Sequence, residues 1–172
     1  MNTTPQLHIR KLQNAATDLP LAQKLIDEMD TFTSDEKLVA MELICKAIAD
    51  EENKPETPPD YLVFAAFIGE TNETMVGHIC YGETPMTHKT FDLYWLTTHP
   101  RYRKQGVAKA LMERMFEDLR SREARLIRTE TAGAALYQGT RQFYQRVGMI
   151  EEATIKDFYS LGDDLSIFTY RF

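Results

Sequence analysis

The sequence has 172 residues, 43% of them hydrophobic and 27% charged, which is the make-up of one soluble globular domain with enough chain to bury a core unaided by disulfides or metals. Twenty lysines and arginines against 26 aspartates and glutamates leave a formal charge of -6, which argues against a general nucleic-acid binder with its net basic face. The longest apolar run, YLVFAAFI at 61–68, is too short to cross a bilayer.

LHIRKL at 7–12 reads as a short first strand. Asp18 then offers a helix N-cap, with Leu21, Leu25 and Met29 recurring at helical spacing behind it. A second helix is expected from Ser34, where Thr33 and Glu36 can form a capping box. Its apolar stripe reads as Leu38, Met41, Ile44, Cys45 and Ile48, and the charged, proline-rich DEENKPETPPD at 50–60 as an exposed loop. Strands follow at 61–69 and 74–82, joined as a hairpin through the polar turn ETNE, and a third at 91–99. Residues 105–122 predict a helix with Val107, Leu111, Met115 and Leu119 on one side. A strand at 125–131, a short helix from Gln138 to Val147, and two strands (149–159 and 165–172) joined by SLGDD complete the chain.

The order β-α-α-β-β-β-α-β-α-β-β, with a parallel crossover around 91–131 and antiparallel hairpins outside it, predicts one α/β domain over 1–172. Its mixed sheet is expected to carry helices on both faces. Cys45 and Cys80 show neither a C-x-x-C spacing nor a neighbouring histidine, so two buried thiols in a reducing cytosol are expected. MNTTPQLHIR lacks the apolar stretch of a secretory signal. The expected location is cytoplasmic, with no membrane partner, and a homodimer is left open.

HPRYRKQGVAKAL at 99–111 is a local cationic concentration in an acidic chain. A strand running into a helix start leaves main-chain N–H groups unpaired at the positive end of the helix dipole, which is an anion site. Gly106 lets a phosphate approach that backbone, Ala108 keeps the next position small, and Arg103 and Lys104 add charge at the rim. The single glycine excludes a Walker loop, and the dinucleotide fingerprint G-x-G-x-x-G is absent. What remains, RKQGVA at 103–108, resembles the pyrophosphate-binding pattern [Q/R]-x-x-G-x-[G/A] of the GCN5-related N-acetyltransferase (GNAT) superfamily, with Arg103, Gly106 and Ala108 at its defined positions. RQFYQRVGM at 141–149 resembles the later f-Y-x-x-x-G-F segment of that family, with Met149 in place of phenylalanine.

The resemblance implies the acyl-CoA N-acyltransferase fold and acetyl-CoA as acyl donor, with no metal. It assigns cofactor contacts to Leu96, Thr97 and Thr98 on the strand, to Arg103, Lys104, Gln105, Gly106, Val107, Ala108 and Lys109 around the turn, and to Tyr144. Main-chain groups of Leu96 and Thr98 would pair with the pantetheine arm. The amide of Leu96, Thr97 or Thr98 would reach the thioester carbonyl. Tyr144, four residues before Gly148, falls where the family has its thiolate-facing acid. The asparagine that many relatives carry after the fifth strand is missing from TAGAAL at 131–136, and Thr131 is at best a partial substitute.

Direct acyl transfer to a primary amine, small or peptidyl, needs an ammonium to lose its proton, an oxyanion donor, and an acid for the leaving thiolate. Positioning supplies much of the rest, so no covalent nucleophile is required. Asp92 and Glu130 are the candidate bases, with a water relay as the third option. His78, His88 and His99 show no metal spacing, and His99 is expected in a solvent-exposed role. Tyr94, Tyr137, Tyr159, Asp157, Asp163 and Asp164 are candidates to line a pocket for a cationic amine. A non-catalytic acyl-CoA sensor of the same fold is the alternative reading.

Overall fold

The computed structural model describes residues 7–53, 56, 58–69 and 74–172. Its elements are β1 (His8–Lys11), α1 (Ala15–Asp27), α2 (Ser34–Asn53), β2 (Leu62–Ile68), β3 (Thr74–Glu83), β4 (Thr90–Thr98), α3 (Val107–Ser121), β5 (Leu126–Ala132), α4 (Gln138–Arg146), β6 (Ile150–Ser160) and β7 (Asp163–Arg171), with single 3-10 turns at Pro100–Tyr102 and Ala135–Tyr137. The seven strands form one mixed sheet in the order β1-β2-β3-β4-β5-β7-β6. β4 and β5 are parallel at residues 90–92 and 126–128, whereas β1–β2, β2–β3, β5–β7 and β6–β7 are antiparallel. Among the described residues no helix is long and apolar enough to span a membrane. The ETNE turn at 70–73 lies outside the described residues.

Packing divides the chain into two compact units, one of Met1–Gly82 with Trp95–Asp118, the other of Glu83–Tyr94 with Leu119–Phe172. In the first unit, α1 and α2 bury Ala22, Leu25, Ile26, Ala40, Ile44, Ala47 and Ile48 against Val63, Ala65, Phe67 and Cys80. α3 buries Val107, Leu111 and Met115. Gly77 faces Val107 and Leu111 on α3, and Tyr81 donates its hydroxyl to Asp118 at 2.7 Å. In the second unit, Tyr144 of α4 packs on Phe168 of β7 at 5.5 Å between ring centres. All eleven residues of β6 are exposed.

Three local expectations change. α1 begins at Ala15 with Asn14 as its cap, accepting from Thr17 N at 3.2 Å. Asp18 is instead a fully buried residue in the first turn that accepts from Arg10, Gln13 N and Asn14 N, and these donors hold its carboxyl below the usual range despite burial. The capping box at Thr33 and Glu36 forms in both directions, at 2.7 and 3.2 Å, but the face of α2 that it starts is rotated. Ala40 and Ala47 are buried while Leu38 and Cys45 are exposed, because two alanines let the helix sit close to the sheet. α2 also runs to Asn53, past the predicted start of the loop at residue 50, since Asp50, Glu51 and Glu52 carry no helix-breaking side chain.

Candidate functional site

In the first unit the end of β4 is set by the next residue, His99, whose N–H donates to Val76 O of β3 at 2.9 Å. Among the described residues no peptide bond is cis, so the Thr98 carbonyl points opposite to the His99 N–H, away from β3.

The turn that follows is built by His99. Its Nδ1 accepts from Arg101 N at 3.2 Å and caps the 3-10 turn, which leaves the proton on Nε2, 2.7 Å from Glu28 Oε2. His99 is therefore a buried turn-builder rather than the exposed side chain expected, drawn in by a carboxylate 71 positions away in sequence. Arg103 grips Asp30 with both guanidinium nitrogens, Nη1 to Oδ2 at 3.2 Å, and this contact holds the Asp30 carboxyl below its usual range. Lys104 and Gly106 both have positive φ, 62° and 86°, which curls the chain so that α3 starts at Val107. Gln105 braces the curl by donating to Arg101 O at 2.9 Å.

The first intrahelical bond of α3, Ala110 N to Gly106 O at 2.9 Å, leaves the N–H groups of residues 107–109 without intrahelical acceptors at the positive end of a 15-residue helix. A Cβ on Gly106 would meet nothing within 4 Å, so the backbone there is open to an approaching anion. Arg103, Lys104, Gln105, Gly106 and Lys109 are exposed, Ala108 is half-buried and Val107 anchors the helix in the core. Thr97 is buried and Leu96 half-buried. A pyrophosphate fits this cradle by charge and by main-chain donors.

The second unit holds Asp92, Glu130 and Tyr144. Asp92 is almost buried, and its two carboxylate oxygens are both taken, one by Arg128 Nε and one by Thr84 Oγ1, each at 2.7 Å. Arg128 also lies 3.4 Å from Glu130 Oε1, so one guanidinium bridges two carboxylates. Glu130 is exposed. Tyr144 is buried, which pushes its phenol up, against a smaller opposing effect of a hydrogen bond with Thr129. Thr129 also donates to Leu93 O at 3.2 Å.

The tyrosine and aspartate candidates divide. Tyr159 is pushed up first by partial burial, then by the negative charges of Glu130 and Asp163 and by Tyr137, so these four groups share one region of the second unit. Asp157 and Asp164 are engaged within the β6–β7 hairpin, accepting from Gly162 N at 2.6 Å and from Lys156 Nζ at 2.6 Å. Thr131 is buried on β5 opposite Ser166. The loop after it is held by Arg141, which donates to Ala132 O at 2.7 Å and Ala134 O at 3.2 Å. Glu28, Asp30, Arg128 and Thr129 were not marked by any local pattern, because each acts through a partner distant in sequence.

A strand that ends on an outward main chain and runs into an anion cradle, on this mixed sheet, is the frame of an acyl-CoA acyltransferase. The model of the Acetyltransferase (GNAT) family matches residues 23–149, and the chain belongs to that family. A GNAT-family protein of Desulfovibrio desulfuricans is 31% identical, with TM-score 0.85 over 96% of this chain and 99% of its own. The ribosomal-protein-S18-alanine N-acetyltransferase of Escherichia coli shares the fold at 20% identity and TM-score 0.71, covering 96% of this chain and 94% of its own. So does an aminoglycoside 6'-N-acetyltransferase solved with coenzyme A, at 14% identity and TM-score 0.69 over 95% and 96%. No curated protein sequence matches the chain.

Proposed function

We propose that the protein transfers the acetyl group of acetyl-CoA directly to a primary amine. The observation that carries this reading is the outward-facing main chain of Thr98 immediately before the cationic turn and the free N–H groups of α3. Main-chain donors at 107–109, with Arg103 and Lys104, hold the pyrophosphate. Leu96 and Thr98 receive the pantetheine arm, and the strand's outward amide polarises the thioester carbonyl.

Glu130 is the better base. Asp92 is occupied by Arg128 and Thr84, whereas Glu130 is exposed and only weakly paired. In the forward reaction Glu130, directly or through a water, takes the ammonium proton. The amine nitrogen bonds to the thioester carbon, the C–S bond breaks and the thiolate takes the Tyr144 proton. The second proton shed by the nitrogen as it becomes an amide passes to solvent water, which reprotonates the tyrosinate. Burial keeps that phenol protonated at neutral pH. The acceptor amine is read as a cation met by Glu130, Asp163, Tyr137 and Tyr159.

Residues 1–172 are taken as one domain, because the boundaries between the two packing units fall inside β3, β4 and α3 rather than in linkers. Free Cys45 and Cys80 suit a reducing cytoplasm. The test is release of coenzyme A thiol from acetyl-CoA on addition of amines, from spermidine to peptides with free N-termini. Binding of acetyl-CoA without release against any of them would replace the enzyme by an acyl-CoA sensor.

A further inference from the structure

His78 takes no part in the chemistry above, yet it is a fully buried histidine on β3. Its main-chain N–H donates to Thr97 Oγ1 at 3.2 Å, and its ring Nδ1 lies 2.6 Å from the same oxygen. The hydroxyl thus joins both the main chain and the ring of His78. The other ring nitrogen, Nε2, has no hydrogen-bond partner among the described residues. A residue present for packing alone would be better served by leucine, since a buried unpaired polar nitrogen is unfavourable.

The neighbouring Gly77 holds the other end of Thr97. A Cβ on Gly77 would sit 2.6 Å from the Thr97 carbonyl oxygen, so that carbonyl lies against β3. Thr97 is thus gripped at its hydroxyl by His78 and at its carbonyl by the bare backbone of Gly77. Because the Thr97–Thr98 peptide is trans, a carbonyl directed at β3 sends the Thr98 N–H the opposite way.

We infer that His78 is a positioning residue, which fixes the rotation of the Thr97–Thr98 peptide through the Thr97 hydroxyl and thereby aims the Thr98 N–H at the thioester oxygen. This inference rests on the proposed binding of acetyl-CoA along β4. It selects Thr98 from the three candidate amides and names the side chain that sets its direction.

The test is the infrared carbonyl stretch of [1-13C]acetyl-CoA bound to the protein, read beside coenzyme A affinity by calorimetry. In the wild type the bound carbonyl should absorb below its free frequency, as a hydrogen-bonded carbonyl does. Thr97→Ser keeps the hydroxyl and should keep the shift. Thr97→Val and His78→Leu should lose most of it, while coenzyme A, which lacks the acyl oxygen, binds each within about twofold of wild type. The near-isosteric Thr97→Val and Thr97→Ser pair carries the comparison if His78→Leu does not fold. A full shift retained in Thr97→Val overturns the inference, as does a wild type that binds coenzyme A but shows no shift. A wild type that binds no coenzyme A overturns the cofactor reading itself, a distinct result.

Discussion

Arg103, at the rim of the turn before α3, is paired through both guanidinium nitrogens with Asp30 in the turn between α1 and α2. The pair therefore joins two turns distant in sequence. Under the proposed function, an arriving pyrophosphate competes with Asp30 for the same guanidinium. Asp30→Asn should tighten coenzyme A binding at low salt, by no more than about fivefold because the pair is exposed. The gain should vanish at high ionic strength. Calorimetry at two salt concentrations measures it, and weaker binding by the variant would assign Asp30 a supporting role instead.

Gly106→Glu is expected to abolish coenzyme A binding with the fold retained. The new side chain has room, but it brings a carboxylate to the cradle and a Cβ to a φ of 86°, which costs roughly 1 kcal/mol of stability. Arg103→Ala should weaken binding by at most about tenfold, since one solvent-facing cation adds little to main-chain donors. Unchanged affinity in the glutamate variant would refute the pyrophosphate assignment.

The two carboxylates bridged by Arg128 should separate by phenotype. Glu130→Gln is expected to lower kcat by about 10²-fold with acetyl-CoA affinity unchanged. Asp92→Asn leaves a half-buried guanidinium short of a charge partner, so it should lower stability by about 1–3 kcal/mol while kcat changes little. Urea titration and steady-state rates on the same preparations compare them, and the reverse pattern would return the base to Asp92.

Tyr144→Phe removes one oxygen and keeps the ring that packs on Phe168. The expected result is a fall in kcat of about 10²-fold with acetyl-CoA affinity nearly intact. Loss of the hydrogen bond with Thr129 should cost about 1 kcal/mol. Single-turnover rates provide the check, because rate-limiting amine attack would mask a slowed departure of the thiolate.

Stability should fall with acid through His78. Burial pushes its imidazole down from 6.5 to about 4, so between those values the unfolded chain binds a proton that the native state refuses. The native state is least penalised above pH 6.5 and loses stability as pH falls toward 4, at up to about 1.4 kcal/mol per pH unit. His78→Leu should remove this slope in urea midpoints taken between pH 7 and 5. An unchanged slope would move the acid sensitivity to other groups.

The parts of the fold that are legible in the sequence are those written in short periods. Val107, Leu111, Met115 and Leu119 all reach the core because a helix with one strongly apolar side has one way to pack. The capping box at Thr33 is equally local. α2 is harder to read because its buried face uses Ala40 and Ala47, which mark a close approach rather than a hydrophobic stripe. Asp18 has the chemistry of a cap but spends it on Arg10 and on the chain entering the helix. For the site, the turn at 103–108 is a contiguous motif. The pairings of His99 with Glu28 and of Asp92 with Arg128 are products of tertiary folding, 71 and 36 positions apart, and no local window contains both members.

Gly77 acts as a spacer of zero thickness between β3 and α3. A single methyl group there would lie 2.6 Å from the Thr97 carbonyl and 2.8 Å from Val107 Cγ1, and Val107 opens the helix whose first N–H groups form the cradle. The methyl would push on a rigid carbonyl below and on the first turn of α3 above, lifting the helix end and tilting the amide next to it together. A position with no side chain thus sets the spacing of two features, the Thr97 carbonyl and the first turn of α3, and adding one carbon there would detune both together.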